Sequence, residues 1–149
     1  MYTRILCVGK IKDSYYREII AEICRKQKRI GNPLEIIEFP DQKIPDHLKE
    51  NNRESFLQKE CEKMWTKLTG KDYVIALCIE GKELTTDQHR KLVKQAMENG
   101  YDRITYIIGG SLGLPEQIKK RADLKLSFSR MTFPHQMMRM VLCEEIANL

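Results

Sequence analysis

Residues 73–79, YVIALCI, constrain this chain more than any other stretch. A continuous apolar run of strand length belongs to a strand covered on both faces, and sheets buried on both faces are largely parallel, with helices above and below. Residues 104–108 form a second run of this kind. Each stands between segments with helical spacing, so the chain reads as an α/β fold.

The remaining elements follow from punctuation. Residues 5–8 read as a strand, Gly9 and Lys10 as a turn, and Asp13 or Ser14 as the cap of a helix whose Ile19, Ile20, Ile23 and Cys24 recur at helical spacing up to Arg29. Gly31, Asn32 and Pro33 stop it, and residues 34–39 make the next strand. The polar, Pro-interrupted residues 40–52 read as a loop, and residues 53–68 as a helix with Phe56, Leu57, Met64, Trp65 and Leu68 toward the core. Glu80, Gly81 and Lys82 are expected to end the YVIALCI strand. Thr85 or Thr86 caps a helix through Met97 that Asn99 and Gly100 terminate, and Pro115 opens a short helix to Arg121. Residues 1–149 are expected to form one domain.

Two stretches look built for a ligand. After the second apolar run comes GGSLGL, with glycines at 109, 110 and 113. Its spacing is not that of a dinucleotide fingerprint, so it is either a tight strand-to-helix turn or backbone that a ligand approaches closely. The second stretch, residues 124–139, LKLSFSRMTFPHQMMR, reads as a strand, a break at residues 129–134 and a helix starting near His135 behind Pro134, with the Thr132 hydroxyl in reach of an orphan amide. Loops at the carboxyl ends of strands are where open α/β sheets bind ligands, so the two turns read as opposite walls of one pocket. His135 and Arg139 are four apart, on one helical face beside that pocket. His135 reads either as a packing residue or as an acid–base group. The neighbouring methionines read as core or interface filler, and Val141, Leu142, Ile146 and Leu149 as a stripe that packs internally or on a second subunit.

Charge is less informative. Lys and Arg total 26 against 21 Asp and Glu, a net +5, which permits a polyanionic partner without requiring one. The basic run RKQKR is either a solvated helix end or an RNA-facing patch. The five cysteines are scattered, with no C-x-x-C pair or histidine cluster for a metal, and their odd number without a secretory leader points to the cytoplasm. No apolar run is long enough to span a bilayer.

The runs ILCVGKIKDSYY, VIALCIEGK, IIGGSLGL and SFSRMTFPHQMMRMVLCEEI together resemble the RlmH family, SPOUT-class methyltransferases of 23S rRNA pseudouridine, and the resemblance covers essentially the whole chain. It implies a SPOUT-type, largely parallel sheet flanked by helices with a carboxyl-terminal trefoil knot, a homodimer, S-adenosyl-L-methionine as methyl donor, and methylation at N3 of a pseudouridine in the assembled ribosome. Carried over by position, the cofactor contacts fall on Leu77, Gly109, Phe128, Ser129, Arg130, Met131, Thr132 and Phe133. For that chemistry His135 suits a general base, and Arg139 a cation that favours the deprotonated base or anchors a phosphate. Family members continue with a short tail bearing tyrosine and histidine, whereas this sequence stops at Leu149, and loss of the tail would affect RNA positioning or proton transfer. Two further readings are a non-catalytic RNA- or ribosome-binding protein of the same fold and a SPOUT methyltransferase acting on another RNA.

Overall fold

A computed structural model of the chain describes residues 1–40, 50–110 and 113–149. The elements run β1 (Thr3–Val8), α1 (Ser14–Arg29), β2 (Leu34–Phe39), α2 (Glu50–Trp65), β3 (Asp72–Glu83), α3 (Thr86–Glu98), β4 (Arg103–Ile108), α4 (Glu116–Arg121), β5 (Leu124–Ser127) and α5 (His135–Ala147). The strands form one sheet in the order β2-β1-β4-β3-β5, and every pairing is parallel.

The apolar runs explain themselves in the two core layers. Along β1, Ile5 and Cys7 face one layer with Ile20 and Ile23 of α1, Val93 of α3 and Leu142, Cys143 and Ile146 of α5. Leu6 and Val8 face the other, with Cys61 and Met64 of α2 and Ile118 of α4. Strand β3 divides in the same way, Ile75 to the first layer and Val74 and Ala76 to the second. Both faces being dry, neither can carry the alternating polar residues of a one-sided sheet. Burial also pushes the thiols of Cys7 and Cys143 up to about 12.

Helix α5 is tied to the sheet by a buried polar chain. The His89 ring, 1% exposed, meets Glu145 Oε1 at 3.0 Å through Nδ1 and the Tyr106 hydroxyl at 2.6 Å through Nε2, while Thr86 Oγ1 donates to Glu145 Oε2 at 3.0 Å. Burial raises the Tyr106 phenol, so the hydroxyl keeps its proton while it hydrogen-bonds the ring. The chain therefore joins α3, β4 and α5 with its polar atoms satisfied.

At the amino end of the sheet, Asp72 is fully buried. It accepts hydrogen bonds from Arg103, from Arg4 Nη2 at 3.3 Å, from Thr105 Oγ1 at 2.7 Å and from the Thr69 amide at 2.8 Å. Burial alone would raise its pKa, but the Arg103, Thr105 and Thr69 hydrogen bonds outweigh it and hold the carboxyl down at about 2. A folded-state value below the ordinary 3.8 means that Asp72 stabilises the fold fully above about pH 4, and that this contribution drains away as pH falls toward 2. Asp72→Ala leaves the buried Arg4 guanidinium uncompensated and is expected to cost about 3–5 kcal/mol, read from urea denaturation at neutral pH. A loss under about 1 kcal/mol would show the cluster to be dispensable.

Several boundaries differ from the sequence expectation. Strand β3 does not stop at Glu80 but continues to Glu83, because Leu126 of β5 pairs with both Leu77 and Lys82 and the intervening residues bulge out. Gly81 is the reason this is possible: a Cβ there would lie 2.8 Å from the Lys125 and Leu126 backbone, so the glycine marks a close approach rather than a stop. Helix α2 begins three residues earlier than its apolar spacing suggests, because Glu50, Asn51 and Asn52 carry no apolar signal; the expected loop's residues 41–49 lie outside the described residues. Trp65, expected in the core, is 48% exposed at the end of that helix. Helix α5 does begin at His135, behind Pro134 as its N-cap, but no side chain, Thr132 included, caps it. Thr85 does cap α3, in a reciprocal capping box with Gln88.

Candidate active site

Helices α3 and α4, which follow the neighbouring strands β3 and β4, pack on opposite faces of the sheet. The loops leaving those strands therefore diverge and open a crevice at their carboxyl ends. A cavity of about 240 Å³ fills it. Its walls are the bulged stretch of β3 from Leu77 to Glu80, Ile108 with Gly109, Gly110, Gly113 and Leu114, and the segment after β5, closed by His135 and Met138 of α5.

Of the residues expected at the cofactor, Leu77, Gly109, Phe128, Ser129, Met131, Thr132 and Phe133 line this one cavity. Arg130 does not: it is 91% exposed at its side chain and lies 3.9 Å from Glu83. The loop after β5 owes its shape to two short-range hydrogen bonds. Ser127 Oγ donates to the Ser129 carbonyl at 3.0 Å, and the Met131 amide donates to Ser129 Oγ at 3.0 Å. They turn the chain so that Phe128 is half-buried while Met131, 73% exposed, stands at the rim.

Gly109 has a different reason for being glycine than ligand approach. A Cβ there would sit 2.5 Å from the Gly113 carbonyl oxygen and 3.0 Å from the Leu114 nitrogen, so the glycine turn folds back on its own first residue. The Gly113 amide closes the turn on the Gly110 carbonyl at 3.0 Å, with Gly113 at φ +82°. Leu114, held by that turn, is 8% exposed and forms part of the wall.

The two residues expected to carry chemistry part company. His135 is exposed and lines the cavity at the first turn of α5. Arg139 is 3% exposed and does not line it. Its Nη1 donates to Glu38 Oε2 at 2.7 Å and its Nη2 to the Gly9 and Val8 carbonyls at 3.0 and 3.3 Å. Four residues along a helix bring two side chains to one face, but α5 is sunk into the fold from its second turn, so the same face is solvent at His135 and interior at Arg139.

Sequence reading missed a charged pair at this cavity. Lys119 Nζ donates to Glu80 Oε1 at 2.8 Å; that bond raises the lysine and lowers the carboxyl, so both stay charged. Separated by 39 positions, the two carry no local signal. Cys78 also lines the cavity, and burial raises its thiol. Among the described residues no group of three His, Cys, Asp or Glu is placed to hold a metal, and no helix is long and apolar enough to cross a membrane.

Residues 1–147 match the family described as predicted SPOUT methyltransferases. The chain is 43% identical over 146 residues to a protein of Leuconostoc citreum named ribosomal RNA large subunit methyltransferase H. It is 44% identical to one of the same name from Streptococcus thermophilus and 39% to one from Streptococcus mutans. Each alignment covers 98% of this chain and 91% of the relative.

Proposed function

Since the chain belongs to the SPOUT methyltransferase family, we propose that it transfers the methyl group of S-adenosyl-L-methionine to N3 of a pseudouridine in 23S rRNA of the assembled ribosome. The family implies a methyl donor, and the relatives' name supports an rRNA substrate. The observation that most supports the proposal is that one cavity gathers Leu77, Gly109 and the loop after β5 at the strand ends, with His135 on its wall.

The lining suits the donor. Leu77, Ile108, Leu126 and Phe128 offer apolar walls to an adenine ring, the glycine turn offers main-chain polar groups to its edge, and the Glu80–Lys119 pair offers one charge of each sign to a zwitterionic amino-acid end. Ser129, Met131, Thr132 and Phe133 complete the holding loop, and Arg130 stands outside it, exposed beside Glu83. When bound, S-adenosyl-L-methionine supplies a methyl group on a sulfonium. Holding two reactants in line removes up to about 7–11 kcal/mol of barrier, so most of the protein's work is positioning. N3 of the base must also lose its proton, and His135, exposed on the cavity wall, accepts it. Arg139 acts through the parts it holds rather than on the base.

In this proposal the chain is one catalytic domain working as a cytoplasmic homodimer. Tyr15 and Ile19 of α1 and Val141 of α5 are 56%, 42% and 39% exposed, an apolar surface that supports self-association. The trefoil knot is proposed on the family alone; from β5, at the sheet edge beside β3, the chain returns to place α5 against α1 and Arg139 against β1.

The test is incubation of the protein with ribosomes lacking the modification and methyl-labelled S-adenosyl-L-methionine. Label in 23S rRNA, mapped to N3 of a pseudouridine by nuclease digestion and mass spectrometry, is the expected result. Label at another base or in another RNA would transfer the substrate assignment, and salt-sensitive ribosome binding without label would make the protein a non-catalytic binder.

A further inference from the structure

We propose that the loop between β1 and α1 is a phosphate-binding element that grips the RNA substrate through Lys10 and Lys12 and keeps it in register with His135, an inference that rests on RNA being the substrate. The loop is short and exposed, yet it is fixed at nearly every residue. The Gly9 amide donates to the Phe39 carbonyl at 2.7 Å, and Gly9, at φ +86°, turns the chain out of the strand. Arg139 donates to the Gly9 carbonyl from beneath, and the Ile11 amide donates to Glu38 Oε2 at 3.3 Å, the oxygen that also receives Arg139. Gln136 Oε1 accepts from the Lys12 amide at 3.0 Å and the Asp13 amide at 3.3 Å.

These ties define what the loop presents. Ile11 is 7% exposed and plugs into the core, so Lys10 and Lys12 on either side of it project into solvent. Neither ammonium has a carboxylate within ion-pair distance among the described residues, whereas Lys119 at the cavity is neutralised by Glu80. Gln136, whose side chain accepts from the Lys12 amide, is next in sequence to His135, so hydrogen bonds tie the loop to the residue beside the proposed base.

The arrangement also accounts for Arg139. Burying a guanidinium and pairing it with a carboxylate is poor economy for stability alone, since an apolar residue of similar volume does as well or better. A buried cation that caps the exit of β1 and orients Glu38 toward the Ile11 amide fixes a geometry instead, and the geometry fixed here is that of the loop that carries Lys10 and Lys12. Arg139 is thus a positioning residue.

The experiment compares wild type, Lys10→Ala/Lys12→Ala and Lys10→Arg/Lys12→Arg in two measurements: ribosome binding as a function of salt, and methyl transfer at saturating S-adenosyl-L-methionine. Removing one lysine–phosphate interaction lowers the slope of log affinity against log salt by about 1, so the alanine pair is expected to flatten it by up to about 2. Its KM for ribosomes is expected to rise about tenfold, with a much smaller fall in kcat, and the arginine pair to restore both. An unchanged salt slope in the alanine pair overturns the inference whether or not the wild type methylates. A wild type that binds ribosomes but transfers no methyl group overturns the proposed activity instead, and leaves the salt slope to decide the lysines.

Discussion

Gly109→Val is expected to remove measurable binding of S-adenosyl-L-methionine, and methylation with it. The atoms a new Cβ would strike are the Gly113 carbonyl at 2.5 and 2.6 Å and the Leu114 nitrogen at 3.0 Å, all of them backbone. No rotamer change relieves such a conflict, so the turn itself must open. Opening it breaks the Gly113-to-Gly110 hydrogen bond and withdraws Leu114 from the wall. Overpacking of this kind costs about 1–3 kcal/mol. If the cost falls on the closed turn alone, the ratio of closed to open turns falls by about 5-fold to about 160-fold, and the added isopropyl group obstructs the cavity that remains. Calorimetric titration measures the loss, and far-ultraviolet circular dichroism checks that the sheet survives, since Ile107 and Ile108 precede the turn and keep their places in the core. A folded variant with affinity within about threefold of wild type would falsify the assignment of this turn to the cofactor site.

The second large effect is expected from His135→Ala. A positioned general base contributes about 10²–10⁴ in rate, so turnover on ribosomes should fall by that order. The side chain is exposed and stands outside the core, so the melting temperature should not move. Affinity for S-adenosyl-L-methionine should change little, because the apolar walls and the glycine turn are untouched. Added imidazole should restore part of the missing rate if the ring's task is proton acceptance, and none if its task is shape. Undiminished turnover removes His135 from the mechanism. Arg139→Ala is a different experiment: it frees Glu38 and the exit of β1, so any loss of methylation there should come with a lower denaturation midpoint.

Much of the fold and of the cavity is legible in the sequence, for a definite reason. The both-sided burial of β3 and β4 writes itself as unbroken apolar runs, and the loops at their carboxyl ends are where such sheets bind ligands, so two walls of the cavity follow from local pattern. The elements that do not follow are those whose cause is distant in sequence. Glu80, Gly81 and Lys82 look like a turn, and only the passage of β5 alongside makes Gly81 a crossing point within a longer strand. The Glu80–Lys119 pair and the burial of Arg139 depend on how α4 and α5 dock, which helical spacing does not encode. Trp65 shows the converse error, an apolar side chain at helical spacing that the end of α2 carries past the sheet into solvent. The family assignment rests on whole-chain resemblance and similarity, not on any of these physical signals.

The depth at which Cys143 lies gives the protein an internal clock. Thiol reagents consume the thiolate, and a sulfur both enclosed and held near pKa 12 offers almost none, so Cys143 is expected to react only in molecules where the packing around the last helix has opened. The same opening carries away His135 and Met138, so it also dismantles the cavity. A small molecule that occupies the closed form alone must slow Cys143 labelling by the factor 1 + [L]/Kd, while shielding Cys78, on the cavity wall, by direct contact. Two sulfurs in one polypeptide would then report the same occupancy by independent routes, without RNA or a radioactive methyl group.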